Sequence, residues 1–229
     1  MTTISANLQA VLARIEAAAR NAGRDPAEVS LLAVSKTWPA EDVREAARAG
    51  QRRFGENYVQ EGVTKVLDLA PLALEWHFIG PLQSNKTRLV AETFDWVHSV
   101  DRLKIAQRLS AQRPAVRAPL QICLQVNVSG EDSKSGVTPA EAPSLAKQLA
   151  ELPGVRLRGL MAIPAPSDDY SVQCRAFRRL RELFDQLKDD GLPLDTLSMG
   201  MSHDLEAAIA EGATLVRVGT AIFGERNTS

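Results

Sequence analysis

Apolar segments of strand length alternate with helix-patterned segments along almost the whole chain. Strand candidates lie at residues 31–36, 52–57, 76–80, 96–100, 120–128, 157–163, 196–201 and 215–223. Helical patterns fill the gaps at 40–49 (closed by Gly50), 58–69, 86–91, 101–111 (capped by Asp101) and from Thr138 onward. Two more run over 172–188, ended by Gly191, and from Ser202 or His203 to 211. Parallel strands need a crossover between them, and a helix is the usual one, so strict alternation predicts a parallel sheet. Eight strands with a helix after each of the first seven, in 229 residues, predict a (β/α)8 TIM barrel. Ile4, Leu8, Val11, Leu12 and Ile15 have helical spacing and predict an additional N-terminal helix, packed where an eighth would otherwise lie. The rival, an open doubly wound sheet, puts a glycine-rich turn after its first strand. Here that place reads Ser35-Lys36-Thr37-Trp38-Pro39, without glycine. No linker or composition break appears, so residues 1–229 are expected to form one domain.

Composition removes several function classes. At 45% hydrophobic and 24% charged residues the chain is not a disordered one. No apolar run approaches the roughly 18–20 residues of a membrane span. Lys+Arg (27) nearly balances Asp+Glu (28), which leaves no electrostatic footprint for nucleic acid or an anionic membrane. Cys123 and Cys174 form no CxxC, and His77, His98 and His203 form no HxxxH pair, so neither a disulfide scaffold nor a metal is expected. No secretory signal opens the chain, and Glu16 speaks against a transit peptide, so a cytoplasmic location is expected.

Three places carry chemistry. Alternation puts Leu32, Val34 and Lys36 on one face, with Lys36 at the C-terminal mouth, where barrel enzymes keep their sites. A lysine there is either a solvated strand end or an amine of lowered pKa suited to a Schiff base. In the last strand Val216 and Val218 face the helices, so Arg217 and Gly219 face inward. An inward arginine needs an anion or a buried salt bridge. Gly219-Thr220 offers backbone N–H groups and a hydroxyl where barrels often bind phosphate. The loop 198–204 runs through Ser202 into a helix start, which serves an N-cap or an anion equally well. Asn57, His77, Gln83, Asn85, Lys86, Asn127 and Lys134 also lie near predicted strand ends, where caps and solvated loop residues are common. Cys123 reads as a buried small hydrophobe, and Arg175, Arg178, Arg179 and Arg181 as one solvated helix face.

Six ordered segments together carry a resemblance. They are Ala33-Val34-Ser35-Lys36, Phe54-Gly55-Glu56-Asn57, Trp76-His77-Phe78-Ile79-Gly80, Leu82-Gln83-Ser84-Asn85-Lys86, Ser198-Met199-Gly200-Met201-Ser202 and 217–224. The chain resembles the pyridoxal 5'-phosphate (PLP) homeostasis protein family, a relative of the alanine racemase barrel, from about residue 30 to residue 226. The resemblance implies that PLP is the cofactor and that Lys36 holds it as an internal aldimine. It implies that Ser202, Gly219 and Thr220 bind the phosphate, that Arg217 faces the pyridine nitrogen and that Asn57 lies near the ring hydroxyl. An arginine there leaves the nitrogen unprotonated and the ring a poor electron sink. Alanine racemase adds a tyrosine from a second chain and a C-terminal β-domain; no such β-domain is expected here, and neither Tyr58 nor Tyr170 has that role. The resemblance therefore implies a PLP binder in PLP homeostasis with little or no turnover, without catalytic residues or metal. It is expected to be a monomer, with PLP-dependent enzymes as recipients. The alternatives are a PLP-dependent racemase-like enzyme and a barrel aldolase or isomerase in which Lys36 attacks a phosphorylated sugar.

Overall fold

The computed structural model describes residues 3–131 and 135–225. Eight parallel strands close a barrel in sequence order. They are β1 (Ser30–Val34), β2 (Arg53–Glu56), β3 (Glu75–Phe78), β4 (Trp96–Val100), β5 (Leu120–Gln125), β6 (Val155–Met161), β7 (Thr196–Ser198) and β8 (Leu215–Val218). The ring closes where Leu32 of β1 registers with Arg217 of β8. Outside lie α1 (Ile4–Asn21), α2 (Ala40–Arg48), α3 (Val59–Asp68), α4 (Thr87–Thr93), α5 (Leu103–Gln112), α6 (Ala142–Ala150), α7 (Tyr170–Asp189), α8 (Leu205–Ala210) and α9 (Thr220–Phe223). Among the described residues no helix is long and apolar enough to cross a membrane.

The core lies between strands and helices. Outward strand residues such as Leu31, Ala33, Val97, Ile122, Val216 and Val218 pack on the buried faces of the helices. Alternation in β1 and β8 thus sorts residues as expected, with Leu32, Val34 and Arg217 left to the barrel interior. Helix α1 buries Leu8, Val11, Ile15, Ala18 and Ala19 against α2, α8 and α9. It therefore covers the flank that follows β8.

The ends of several elements differ from the sequence expectation. Strand β1 stops at Val34, so Lys36 stands in the turn beyond it. The apolar run 215–223 is divided: β8 ends at Val218 and Thr220–Phe223 winds into α9. Apolar runs this short satisfy strand and helix alike, and Gly219 provides the break. Strand β5 ends at Gln125, and beyond it an isolated bridge joins Val126 to Val137. Thr138 and Glu141 do bond reciprocally, but they close a turn, and α6 starts at Ala142. Asp101 pairs with Arg102 and does not cap α5, whose cap position is Arg102.

Candidate functional site

The C-terminal ends of the strands surround a cavity of about 200 Å³. Lys36 and Asn57 line it from the loops after β1 and β2, Ser202 from the loop after β7, and Arg217, Gly219 and Thr220 from β8 and its continuation. All the residues singled out for binding thus meet in one place. Val34, Ile79, Ile163, Met201 and His203 complete the wall. Among the described lining residues are two basic side chains, Lys36 and Arg217, and no carboxylate. The Asn57 side-chain oxygen is buried without a hydrogen-bond partner.

Arg217 is fixed by the barrel itself. Its Nη1 donates to the Ser198 carbonyl (2.6 Å) and Oγ (2.7 Å), and its Nη2 to the Ala162 carbonyl (2.9 Å). Burial lowers its pKa to about 10, which still leaves it charged at neutral pH. The backbone beside it needs glycine at one point. Gly200 has φ +93°, and a Cβ there would meet the Ala208 Cβ at 2.5 Å. Its carbonyl accepts from Arg217 N–H at 2.9 Å, tying the Ser202 loop to β8.

The turn that carries Lys36 is held by a buried ion cluster that the sequence reading missed. Lys65 of α3 donates to the Ser35 carbonyl (2.7 Å), Glu56 Oε1 (2.8 Å) and Glu61 Oε1 (2.6 Å). Ser35 Oγ donates to the same Glu56 oxygen (2.6 Å), and Thr37 N–H donates to Glu61 (2.5 Å). Thr37 sits at φ +69°, a left-handed conformation costly for a β-branched residue. These bonds on both sides of Lys36 hold that strained turn in place. Helix α1 braces the opposite wall. Arg14 forms a bidentate pair with Glu206 (2.5 and 2.6 Å) and donates to the Ser202 carbonyl (2.8 Å).

Other residues near strand ends lie elsewhere. Asn127 closes a local turn with Gly130 and Glu131, and His77 is buried inside the barrel. Gln83, Asn85 and Lys86 belong to a turn outside the cavity, and Lys134 lies outside the described residues. Burial pushes the Cys123 thiol up to about 12, as fits an inert core residue. The arginine face of α7 is not merely solvated: Arg178 and Arg181 pair with the buried Glu211 after α8.

The model of the alanine racemase N-terminal domain matches residues 6–227. The chain is 65% identical over 227 residues to the pyridoxal phosphate homeostasis protein of Pseudomonas aeruginosa, covering 99% of this chain and 97% of that one. The chain belongs to the pyridoxal phosphate homeostasis protein family. The Escherichia coli member is 57% identical over 232 residues, covering 100% of this chain and 99% of its own. The structure of PipY from Synechococcus elongatus with PLP bound superposes with a TM-score of 0.80 at 41% identity, covering 93% of this chain and all (100%) of that one.

Proposed function

We propose that this chain binds PLP at the mouth cavity for PLP homeostasis and holds it reversibly on Lys36, with little or no turnover. The Lys36 amine and the PLP aldehyde join as a Schiff base, with loss of one water. Ser202, Gly219 and Thr220 take the phosphate, since hydroxyls and backbone N–H groups are the donors a phosphate needs. Arg217 faces the pyridine nitrogen, and the Asn57 amide meets the ring hydroxyl. The observation that carries this reading is the make-up of one cavity: two basic side chains, no carboxylate and an unpartnered amide oxygen among the described lining residues. The names of the relatives and the PLP-bound PipY structure support the choice of cofactor.

When bound, PLP supplies a conjugated ring that can accept electrons from an attached amine. Arg217 works against that use, because a permanent cation keeps the facing nitrogen unprotonated. Tyr58 and Tyr170 are 55% and 54% exposed and do not line the cavity, so neither is placed to move a substrate proton. We take the holder to be one domain, monomeric and cytoplasmic, with PLP-dependent enzymes drawing on it.

Purified protein mixed with PLP is expected to develop an absorbance band at about 420 nm and to leave L-alanine unracemised. Absence of the band at saturating PLP would overturn the binding reading. Rapid formation of D-alanine would overturn the low-turnover reading. Arg14→Ala should weaken PLP affinity by about tenfold without moving the band, because the phosphate-side loop loses a charged brace. Unchanged affinity in a direct titration would remove Arg14 from the account.

A further inference from the structure

A chain of side-chain hydrogen bonds crosses the barrel interior below the mouth cavity. Arg217 Nη1 lies 2.7 Å from Ser198 Oγ, and Ser198 Oγ lies 2.7 Å from His98 Nδ1. His98 Nε2 lies 2.8 Å from His77 Nδ1, and His77 Nε2 lies 2.8 Å from Glu75 Oε1. Ser198, His98 and His77 are buried. Glu75, at the start of β3, reaches a second cavity of about 360 Å³ at the opposite end of the barrel. Its side chain is 40% exposed, so the far end of the chain is in touch with water.

The two ends fix the direction of every bond. Arg217 only donates, so Ser198 Oγ accepts from it; the Glu75 carboxylate only accepts, so with both rings neutral the Ser198 proton goes to His98 Nδ1. His98 must then carry its proton on Nε2 and give that bond to His77 Nδ1. His77 carries its proton on Nε2 in turn and gives it to the Glu75 carboxylate. Each member between the ends gives one bond and takes one, and both histidines are neutral. Added charge on either is opposed by burial for both rings, and by Arg217 as well for His98.

We propose that Ser198, His98, His77 and Glu75 are positioning residues for Arg217, and that protonation of the histidine pair reverses the Ser198–His98 bond and loosens the hold on the cofactor. This rests on the PLP reading of the mouth cavity. A proton added at His77 or His98 turns His98 Nδ1 from acceptor to donor, so the Ser198 hydroxyl proton loses its acceptor. It also puts a second positive charge in the barrel near Arg217. The groups facing the pair can be named strand by strand. They are Arg53 from β2, Glu75 from β3, Asp95 just before β4 with the stacked Trp96 ring of β4, Arg158 of β6 over that ring, and Ser198 and Arg217 from β7 and β8. Only Glu75 and Asp95 among these favour a charged imidazole, and the carboxylate of Glu75 is the one in contact.

Both histidines have depressed pKa values, so the tight state is complete above the ordinary histidine value of about 6.5 and is lost progressively as pH falls below it. Glu75→Gln keeps an acceptor for His77 but removes the anion, which moves this loss to lower pH. Ser198→Ala cuts the chain and should raise PLP dissociation about tenfold at neutral pH, the loss expected for one charge-assisted bond.

Two measurements on the full-length chain test this. Imidazole nitrogen NMR on the PLP-free protein should show two histidines as neutral Nε2–H tautomers at neutral pH. An Nδ1–H tautomer or an imidazolium at either would overturn the chain. PLP retention followed by absorbance from about pH 8 to 5 should fall with acid in the wild type. The fall should move down in Glu75→Gln, while thermal unfolding at pH 8 confirms that the variant is folded. Identical release curves and dissociation rates in all three proteins would overturn the coupling. If the wild type takes up no PLP at all, the cofactor reading fails, and the NMR result still judges the chain of bonds.

Discussion

Lys65→Met should lower the free energy of unfolding by about 3–5 kcal/mol, the usual cost of removing one partner from a buried ion pair. Lys65 is 5% exposed and Glu56 is fully buried (0%), so water cannot replace the lost ammonium. Glu56 Oε2 already has no hydrogen-bond partner, which leaves Lys65 and Ser35 to hold the carboxylate through Oε1 alone. Burial raises the Glu56 pKa even with Lys65 present, and Lys65 is the largest effect opposing that rise. Without it the folded protein favours a protonated Glu56 more strongly. A carboxyl with a raised folded pKa contributes stability at low pH and loses it as pH rises through that pKa. The deficit of the variant should therefore be larger at about pH 8 than near the ordinary carboxylate range. Adding Glu56→Gln should recover part of the loss, because the stranded charge goes with it. Denaturant midpoints at two pH values check both statements. A midpoint equal to wild type, or a double variant weaker than the single one, would contradict them.

Lys36→Ala should abolish the PLP absorbance band rather than reduce it. Only the lysine amine can make the covalent link; the phosphate donors and Arg217 remain but offer hydrogen bonds alone. Lys36→Arg should fail as completely, since a guanidinium is always charged and does not condense with the aldehyde. Stability should change little, because Lys36 lies on the wall of a cavity and not in the packed core. Residual PLP affinity in the Ala variant measures what the phosphate side contributes without the link. A band of wild-type size in Lys36→Ala would place the link on another lysine.

The barrel was legible because its strands are short apolar runs separated by helix patterns, and period sorts each residue to a face. That sufficed to point Arg217 inward and to bring Lys36 to the mouth. Period does not identify partners across the barrel. His77 and His98 read as scattered residues, yet β3 and β4 set their rings side by side. Lys65 occupies an ordinary place in a helical pattern, and only the packing of α3 on β2 turns it toward Ser35 and Glu56. Arg14 stands outside the apolar stripe that marks the first helix, and its guanidinium reaches the Ser202 carbonyl 188 residues away. The run 215–223 hid a boundary because strand and helix share the same apolar residues over so short a span. Residues that line the cavity were thus visible from position, and those that brace them were not.

The Schiff base proposed at Lys36 can be trapped chemically. The most direct measurement is borohydride reduction of the PLP-loaded protein, followed by mass analysis of its peptides. One reduced pyridoxyl group per chain is expected, on the peptide bearing Lys36, with loss of the absorbance band in step. No mass gain on that peptide in protein that had shown the band would contradict it.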